Sequence, residues 1–281
     1  MSRRFHLVDV FHEQPFSGNP LAVVFDAEEL STDEMQRITR WLNLSETAFL
    51  LPPSSPEADY RVRIFTLAHE LPFAGHPTLG SCHAWLANGG QPRRPGEIIQ
   101  ECGAGLVPIR RDGEALAFAA PPLLRGGPVD EEHVLELARF LGIERSLIRD
   151  AQWADNGPGW AVLLLDSAEA VLALKPPRDY PRRIDLGVVG PYPPGGPLAF
   201  ELRAFFSDHT GGVTEDPVTG SLNAAVAQWL LASGRAAAPY VASQGTQLQR
   251  SGRIFISQDA AGAVWVGGRT ATLVAGELAA D

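Results

Sequence analysis

Two segments of this chain are rich in small residues, carry almost no charge, and have the length of a helix. They cover residues 75–89 and about 220–233, and they open on Gly75 and Gly220. A helix without a charged face has no side that favours contact with water, so the helix at 75–89 is predicted to be buried on most sides.

The same two segments suggest an internal duplication. The start Gly75-His76-Pro77-Thr78 resembles Gly220-Ser221-Leu222-Asn223, and residues 40–44 resemble residues 139–143 in the same order. The offsets, 145 and 99, differ, so an insertion is predicted between the two helices of the second half. The alternative is chance similarity between amphipathic helices.

Periodicity and turn residues predict the remaining elements. Ser31 and Glu34 form a capping box for a helix at about 32–42, and further helices are predicted at about 131–140 and 167–174. A domain boundary at Pro121-Pro122 gives an N-terminal lobe of residues 1–120 and a C-terminal lobe of residues 121–281, whose last strand can cross back to the first lobe. Strands are predicted at 5–11, 21–25, 47–51, 60–65, 97–102, 105–110, 115–119, 151–154, 160–165, 184–189, 199–206, 241–243, 253–257, 263–267 and 270–275.

Charge and residue usage exclude several classes of function. The net charge of −10 argues against binding to nucleic acid or to anionic membranes, which attract basic surfaces. The single lysine, Lys175, precedes Pro176-Pro177, so a lysine Schiff base is disfavoured. Cys82 and Cys102 are too few for a disulfide framework or a four-thiolate zinc site.

Several motifs that indicate a metal, a nucleotide or a serine nucleophile are absent from the sequence. The histidines, which include His209, do not form a metal-ligand cluster, and no dinucleotide, Walker A or G-x-S-x-G motif occurs. We therefore expect no cofactor and no metal, which leaves an acid–base site. The sequence contains no signal peptide and no apolar run of membrane-spanning length, so a cytoplasmic location is predicted.

The starts of the two small-residue helices are candidate binding sites for a carboxylate. A helix N-terminus presents unpaired N–H groups and the positive end of the helix dipole. Two such helices, one in each lobe, can face each other across a cleft and hold a small acid from both sides. The alternative is that each is simply a buried helix start.

Glu46 and His76 are candidates for proton transfer. Glu46 lies in Asn43-Leu44-Ser45-Glu46-Thr47, between a predicted helix and an apolar strand. Burial raises a carboxyl pKa, which lets such a group accept a proton and return it near neutral pH. His76, at a helix start, is a candidate acid or hydrogen-bond donor that the helix dipole keeps neutral. The alternatives are a solvated loop glutamate and a satisfied, partly buried histidine.

Asp216 and Ser221 flank the start of the second small-residue helix. Both lie in Glu215-Asp216-Pro217-Val218-Thr219-Gly220-Ser221. Asp216 is a candidate for orienting the substrate or assisting proton transfer. The alternatives are an Asp-Pro turn for Asp216 and a purely structural helix cap for Ser221.

These motifs identify a resemblance that covers nearly the whole chain. The sequence resembles the PhzF-like family, the phenazine-biosynthesis isomerases and their relatives. The motifs that carry the resemblance are Phe16-Ser17-Gly18-Asn19-Pro20, Asn43-Leu44-Ser45-Glu46-Thr47, Glu70-Leu71-Pro72-Phe73-Ala74-Gly75-His76-Pro77, Asn156-Gly157-Pro158, Glu215-Asp216-Pro217-Val218-Thr219-Gly220-Ser221 and Gln244-Gly245.

The resemblance implies an α+β fold of the diaminopimelate-epimerase type. Such a fold has two pseudo-symmetric lobes, each a curled, mostly antiparallel sheet around a central helix, with the site between them. It also implies a homodimer without a cofactor. The glutamate matching Glu46 carries the proton, and residues matching Ser45, Asn19, Asn156, Gly75 and Gly220 join His76, Asp216 and Ser221 around the substrate.

The implied activity is a cofactor-independent proton shift on a small carboxylic acid. Amino-acid epimerases of this fold use two cysteines at the helix starts, where this chain has Ala74 and Asp216 or a near neighbour, so two-thiol racemisation is disfavoured. Residues 246–253 and Asp216-Pro217 depart from the family pattern, so phenazine synthesis itself is not predicted. Two alternatives stay open: an epimerase or racemase using Glu46 with Asp216, and a small-acid-binding protein without turnover.

Overall fold

Strands outnumber helices along the chain, and most of the core is built on them. The computed structural model describes residues 2–208 and 210–279. Its α-helices are α1 (Thr32–Leu42), α2 (Gly75–Ala87), α3 (Glu131–Leu141), α4 (Ala168–Ala173) and α5 (Gly220–Ala232), and short 3-10 helices cover Arg145–Leu147 and Thr246–Leu248.

The strands begin close to the N-terminus and continue to the last described residue. They are β1 (Ser2–Val10), β2 (Asn19–Val24), β3 (Glu46–Leu51), β4 (Tyr60–Thr66), β5 (Glu70–Leu71), β6 (Glu97–Cys102), β7 (Gly105–Asp112), β8 (Ala115–Ala119), β9 (Ile148–Trp153), β10 (Ala161–Leu165), β11 (Asp185–Pro191), β12 (Phe200–Ser207), β13 (Val213–Asp216), β14 (Tyr240–Gln244), β15 (Gly252–Gln258), β16 (Val264–Gly268) and β17 (Thr270–Ala279). This mixture of sheet with few helices confirms the predicted α+β class.

Residue contacts divide the chain into two units. Unit 1 consists of residues 1–119 and 267–281, and unit 2 consists of residues 120–266. Strand β17 belongs to unit 1, where it pairs antiparallel with β1. The apolar core of unit 2 lies between α3, α4 and strands β10 to β12, whereas a smaller cluster in unit 1 lies beneath α1.

Each unit contains the same order of strand pairing. In unit 1, β1 is antiparallel to β2, β2 parallel to β3, and β3 antiparallel to β4; β4 is antiparallel to β5 and parallel to β6, which is antiparallel to β7. In unit 2, β9 to β15 repeat these relations strand for strand. The repeated order supports an internal duplication.

The topology corrects one part of the predicted duplication. Helix α1 connects the parallel strands β2 and β3, and the helix that connects their counterparts β10 and β11 is α4. The predicted match of residues 40–44 to residues 139–143 is therefore wrong, because the latter lie in and after α3. Helix α3 precedes β9 and lies outside the repeated order of strands. Amphipathic helices that pack one face on a sheet acquire similar sequences without being equivalent.

The two small-residue helices are the crossovers of the second parallel pair in each unit. Helix α2 joins β4 to β6, and α5 joins β12 to β14. Parallel neighbours require such a crossover. Strands on several sides contact α2, which is buried through most of its length as predicted, and α5 is buried to the same extent. Gly80 permits this packing, since a Cβ there would lie 2.5 Å from Leu21 Cδ2.

The local sequence explains where most helices and strands begin and end, but it did not predict the shortest strands. Helix α1 has the predicted capping box of Ser31 and Glu34, and it ends at Asn43 in the left-handed conformation. The strands β5 and β13 were not predicted. Both are short, and pairing with β4 and β12 forms them, without an apolar alternation of their own. Within the described residues, no helix combines the length and the apolar character needed to cross a membrane.

Candidate active site

Glu46 and Asn19 are brought to the same edge of the sheet in unit 1. Each is the first residue of its strand, β3 and β2 respectively, and these strands run parallel. The left-handed residue Asn43 (φ 55°) ends α1, and the chain turns through Leu44 and the part-buried Ser45 into β3. The first residues of parallel neighbours lie close together, which places the Glu46 carboxylate near the Asn19 amide.

His76 lies between these two side chains. It is the second residue of α2, and its Nε2 atom is 3.5 Å from Glu46 Oε2. Its Nδ1 atom is 3.4 Å from the amide nitrogen of Asn19. The histidine side chain is 4% exposed and the glutamate side chain 17%, so the glutamate is the more accessible of the two, although its Oε2 atom is buried.

Burial keeps His76 neutral and fixes its proton. Removal from water penalises the imidazolium and lowers the pKa of His76 to about 3. Since Asn19 Nδ2 is a donor, the imidazole Nδ1 accepts, and the single ring proton lies on Nε2. His76 Nε2 lies 3.5 Å from Glu46 Oε2, so the carboxylate has a neutral imidazole as its neighbour.

The loop that carries Asn19 is held by a buried carboxylate. Asp9 accepts hydrogen bonds from the backbone N–H groups of Ser17 (3.1 Å) and Gly18 (2.9 Å). Burial raises the pKa of Asp9 in spite of these hydrogen bonds. A side chain at position 18 has no room, because a Cβ would lie 2.2 Å from Val10 O. Sequence reasoning missed Asp9, whose signal was an acid inside the apolar strand Leu7-Val8-Asp9-Val10.

In unit 2, Ser221 and Asn156 meet at the start of α5. Ser221 is the second residue of this helix, and its Oγ atom accepts from Trp160 Nε1 at 3.1 Å. The amide nitrogen of Asn156 donates to the Ser221 carbonyl at 2.9 Å. The N-cap is Thr219, so Ser221 is a first-turn residue and the alternative of a structural helix cap is wrong. Asp216 lies just before it, at the end of β13.

The helix starts at Gly75 and Gly220 differ from the other α-helix starts. Helices α1, α3 and α4 have side-chain caps, from Ser31, Asp130 and Ser167. Neither α2 nor α5 has a side-chain cap hydrogen bond. The first N–H groups of a helix have no partner within it, so these two starts keep donors suited to an anion.

The strand repeat gives Glu46 a counterpart in unit 2. Glu46 opposes Thr66 in the β3–β4 pair, and Asp185 opposes Phe206 in the matching β11–β12 pair. Asp185 is bound to Arg183, whose Nε atom is 2.6 Å from Oδ2. The residue in the position of His76 is Ser221. The repeat therefore does not duplicate the glutamate–histidine arrangement of unit 1.

The cysteines are poorly suited to thiolate chemistry. Cys82 is fully buried inside α2, and burial raises the pKa of its thiol to about 12. Burial also raises the pKa of Cys102. The N-cap positions of α2 and α5 hold Ala74 and Thr219. Across residues 2–208 and 210–279, no group of three or more His, Cys, Asp or Glu has the arrangement of a metal site; His209 lies outside these residues.

Comparison with models of protein families shows which family the chain belongs to. The family described as phenazine biosynthesis-like protein matches residues 8–276. The chain belongs to this family. The match includes every candidate residue from Asn19 to Ser221, so the phenazine biosynthesis-like resemblance inferred from the motifs is confirmed.

Individual relatives of the phenazine biosynthesis-like family match over nearly their whole length. The Schizosaccharomyces pombe protein named antisense-enhancing sequence 1 is 38% identical and covers 97% of each chain. The trans-2,3-dihydro-3-hydroxyanthranilate isomerase of Pseudomonas aeruginosa is 34% identical and covers 97% of this chain and 98% of its own. A PhzF-family protein of Bacillus anthracis shares the fold, with a TM-score of 0.82 at 22% identity and full coverage of both chains.

Proposed function

We propose that this protein is a cofactor-independent isomerase that moves a proton from one carbon to another on a small carboxylic acid. Glu46 takes the proton from the first carbon and returns it to the second, so the carboxylate is regenerated and nothing is consumed. The observation that carries the proposal is the part-exposed Glu46 side chain, whose carboxylate lies 3.5 Å from a buried, neutral His76. The names of the isomerase relatives support the same reaction class.

We propose a role for each neighbour of Glu46. His76, whose Nε2 atom is 3.5 Å from Oε2, is proposed to orient the carboxylate, and Asn19, 3.4 Å from Nδ1, is proposed to hold the imidazole in place. The neutral imidazole adds no positive charge beside the carboxylate. His76 is therefore proposed to position the base.

The uncapped helix starts are proposed to bind the substrate carboxylate. The N–H groups of Gly75 and His76 open α2, and those of Gly220 and Ser221 open α5. Asp216 and Asn156 are proposed to contact polar groups of the substrate, as is Ser45. That Glu46 and Asp216 serve one substrate stays a prediction. A double-mutant cycle of Glu46→Gln with Asp216→Asn tests it, because groups acting on one transition state have non-additive effects.

A single proton-carrying residue fits a proton shift between two carbons better than it fits inversion of a stereocentre. Stereoinversion needs acid–base groups on both faces of the carbon, and the counterpart of Glu46, Asp185, is bound to Arg183. A proton shift along one face needs only the single glutamate.

The test is carbon-bound proton exchange followed by NMR in D₂O. The probes are trans-2,3-dihydro-3-hydroxyanthranilate, after which the Pseudomonas aeruginosa relative is named, and a panel of aromatic and amino acids. We expect Glu46→Gln to reduce turnover roughly 10²–10⁴-fold while retaining binding. The exposed Glu28→Gln serves as the matched control and keeps full turnover.

Three outcomes contradict the proposal. Unchanged exchange in Glu46→Gln removes the glutamate from the mechanism. Optical inversion of an amino acid assigns an epimerase instead, and binding without exchange in any probe assigns a binding protein. The homodimer implied by the resemblance stays a prediction, which light scattering on the purified protein tests.

A further inference from the structure

A buried threonine hydroxyl lies between Gln244 and Asp216 in unit 2. Thr219 Oγ1 is 2.5 Å from Asp216 Oδ2 and 2.9 Å from Gln244 Nε2. Asp216 is 9% exposed, Thr219 7%, and Gln244 is completely buried. The contacts between the three side chains are therefore shielded from water.

The orientation of the Gln244 amide is fixed by its other partners. Its Oε1 atom accepts from the N–H of Thr219 (3.0 Å) and from Asn223 Nδ2 (2.8 Å). Its Nε2 atom donates to the carbonyl of Asp216 at 3.1 Å, in addition to Thr219 Oγ1. Exchanging the amide oxygen and nitrogen would set donors against donors and an acceptor against an acceptor, so only one orientation satisfies these groups.

The Thr219 hydroxyl links Gln244 to Asp216. Its Oγ1 atom accepts from Gln244 Nε2 and donates its single proton to Asp216 Oδ2. Hydroxyl-to-carboxylate hydrogen bonds measure about 2.5–2.7 Å, whereas bonds between neutral oxygens are most often about 2.7–2.8 Å. The 2.5 Å distance makes the contact between Thr219 and Asp216 a short hydrogen bond.

We propose that Thr219 is a positioning residue that fixes one oxygen of the Asp216 carboxyl by donating to it, and that Gln244 orients the Thr219 hydroxyl. This inference rests on the proposed function, in which Asp216 contacts the substrate. Next to Asp216 on β13, Glu215 is paired with Arg203 of β12 at 2.7 Å. Glu201 is the other charged residue of β12, and neither α5 nor β14 contains one.

The test is the titration of the Asp216 carboxyl, followed by ¹³C NMR in the ligand-free full-length protein. In Thr219→Val we expect this carboxyl to take up its proton about 1 pH unit higher than in wild type, because a hydrogen bond to the charged form is lost. Thr219→Ser keeps the hydroxyl and restores the wild-type titration. The matched control is Thr78→Val, which removes an equally buried Gln100-to-Thr78 hydrogen bond in unit 1 and leaves Asp216 unchanged.

A measurement on the wild type covers the case in which Thr219→Val does not fold. The Thr219 hydroxyl proton is expected to exchange slowly and to give its own ¹H resonance. A freely exchanging hydroxyl, or an Asp216 titration that is the same in wild type and Thr219→Val, overturns the inference. None of these readouts requires turnover, so failure of the proposed isomerase activity is distinguishable from failure of the Thr219 assignment.

Discussion

The buried neutral state of His76 predicts how this protein responds to acid. An unfolded histidine titrates near pH 6.5, and burial lowers the pKa of His76 to about 3 in the folded state. Between these values the unfolded chain binds one more proton at this position than the folded chain does. The stabilising contribution of neutral His76 is therefore complete above pH 6.5 and declines as the pH falls toward 3.

The size of the effect follows from linkage. Lowering the pH from 7.5 to 5.0 is expected to reduce the free energy of unfolding by about 2 kcal/mol through His76 alone. Burial that raises the pKa of Asp9 and Glu201 acts in the opposite direction. These acids titrate alike in wild type and in a His76→Gln variant, so the difference between the two proteins isolates the histidine.

The assay is urea unfolding of both proteins at pH 7.5 and pH 5.0. Wild type is expected to lose about 2 kcal/mol more stability than His76→Gln over this range, whatever the absolute cost of the substitution. The exposed His69→Gln is the control and retains the wild-type pH dependence. Parallel pH dependence in wild type and His76→Gln refutes the reasoning. The opposite sign would show that protonated His76 forms an ion pair with Glu46 that outweighs the cost of burial.

Three further predictions concern the scaffold. Gly18→Ala places a Cβ 2.2 Å from Val10 O and should cost about 2 kcal/mol or more of unfolding free energy in a urea titration, whereas Gly276→Ala, with open space around it, is near neutral. Arg203→Met removes a buried arginine and leaves the part-buried Glu215 without its ion-pair partner, which should cost about 3–5 kcal/mol in the same titration. The exposed pair of Arg149 and Asp166 is the control: Arg149→Met should cost about 1 kcal/mol or less, and equal costs would contradict the argument. A thiol reagent should label Cys102 in the folded protein and Cys82 only after unfolding, because Cys82 is buried with its pKa raised to about 12; mass spectrometry of the labelled peptides checks this, and fast labelling of Cys82 would contradict it.

Local patterns in the sequence determined much of the fold. The capping box of α1 and the small-residue composition of α2 and α5 predicted helices that the structure contains, with the predicted burial of α2. These features depend on neighbouring residues, which is why they can be read without a structure. The match of residues 40–44 to residues 139–143 was wrong. Both segments belong to helices with one apolar face, and an apolar face contains no information on the order of the strands.

The candidate site was predicted as a set of residues, without their contacts. Motifs singled out Glu46, His76 and Asn19. These residues are spread over positions 19 to 76 and belong to three separate elements. Parallel pairing of β2 with β3 and the crossover helix α2 bring them together. Asp9 and the direction of the Thr219 hydroxyl were not foreseen, since each depends on partners from other strands.

The sequence by itself determined which chemistry is possible: a single lysine and two cysteines leave carboxylate and histidine as the available acid–base groups. Only the tertiary structure decided the protonation of those groups. Burial keeps His76 neutral, the Asn19 amide places its proton on Nε2, and Gln244 orients the Thr219 hydroxyl that donates to Asp216. Protonation depends on desolvation and on hydrogen-bond partners from distant strands, and these are properties of the fold that no local pattern of residues contains.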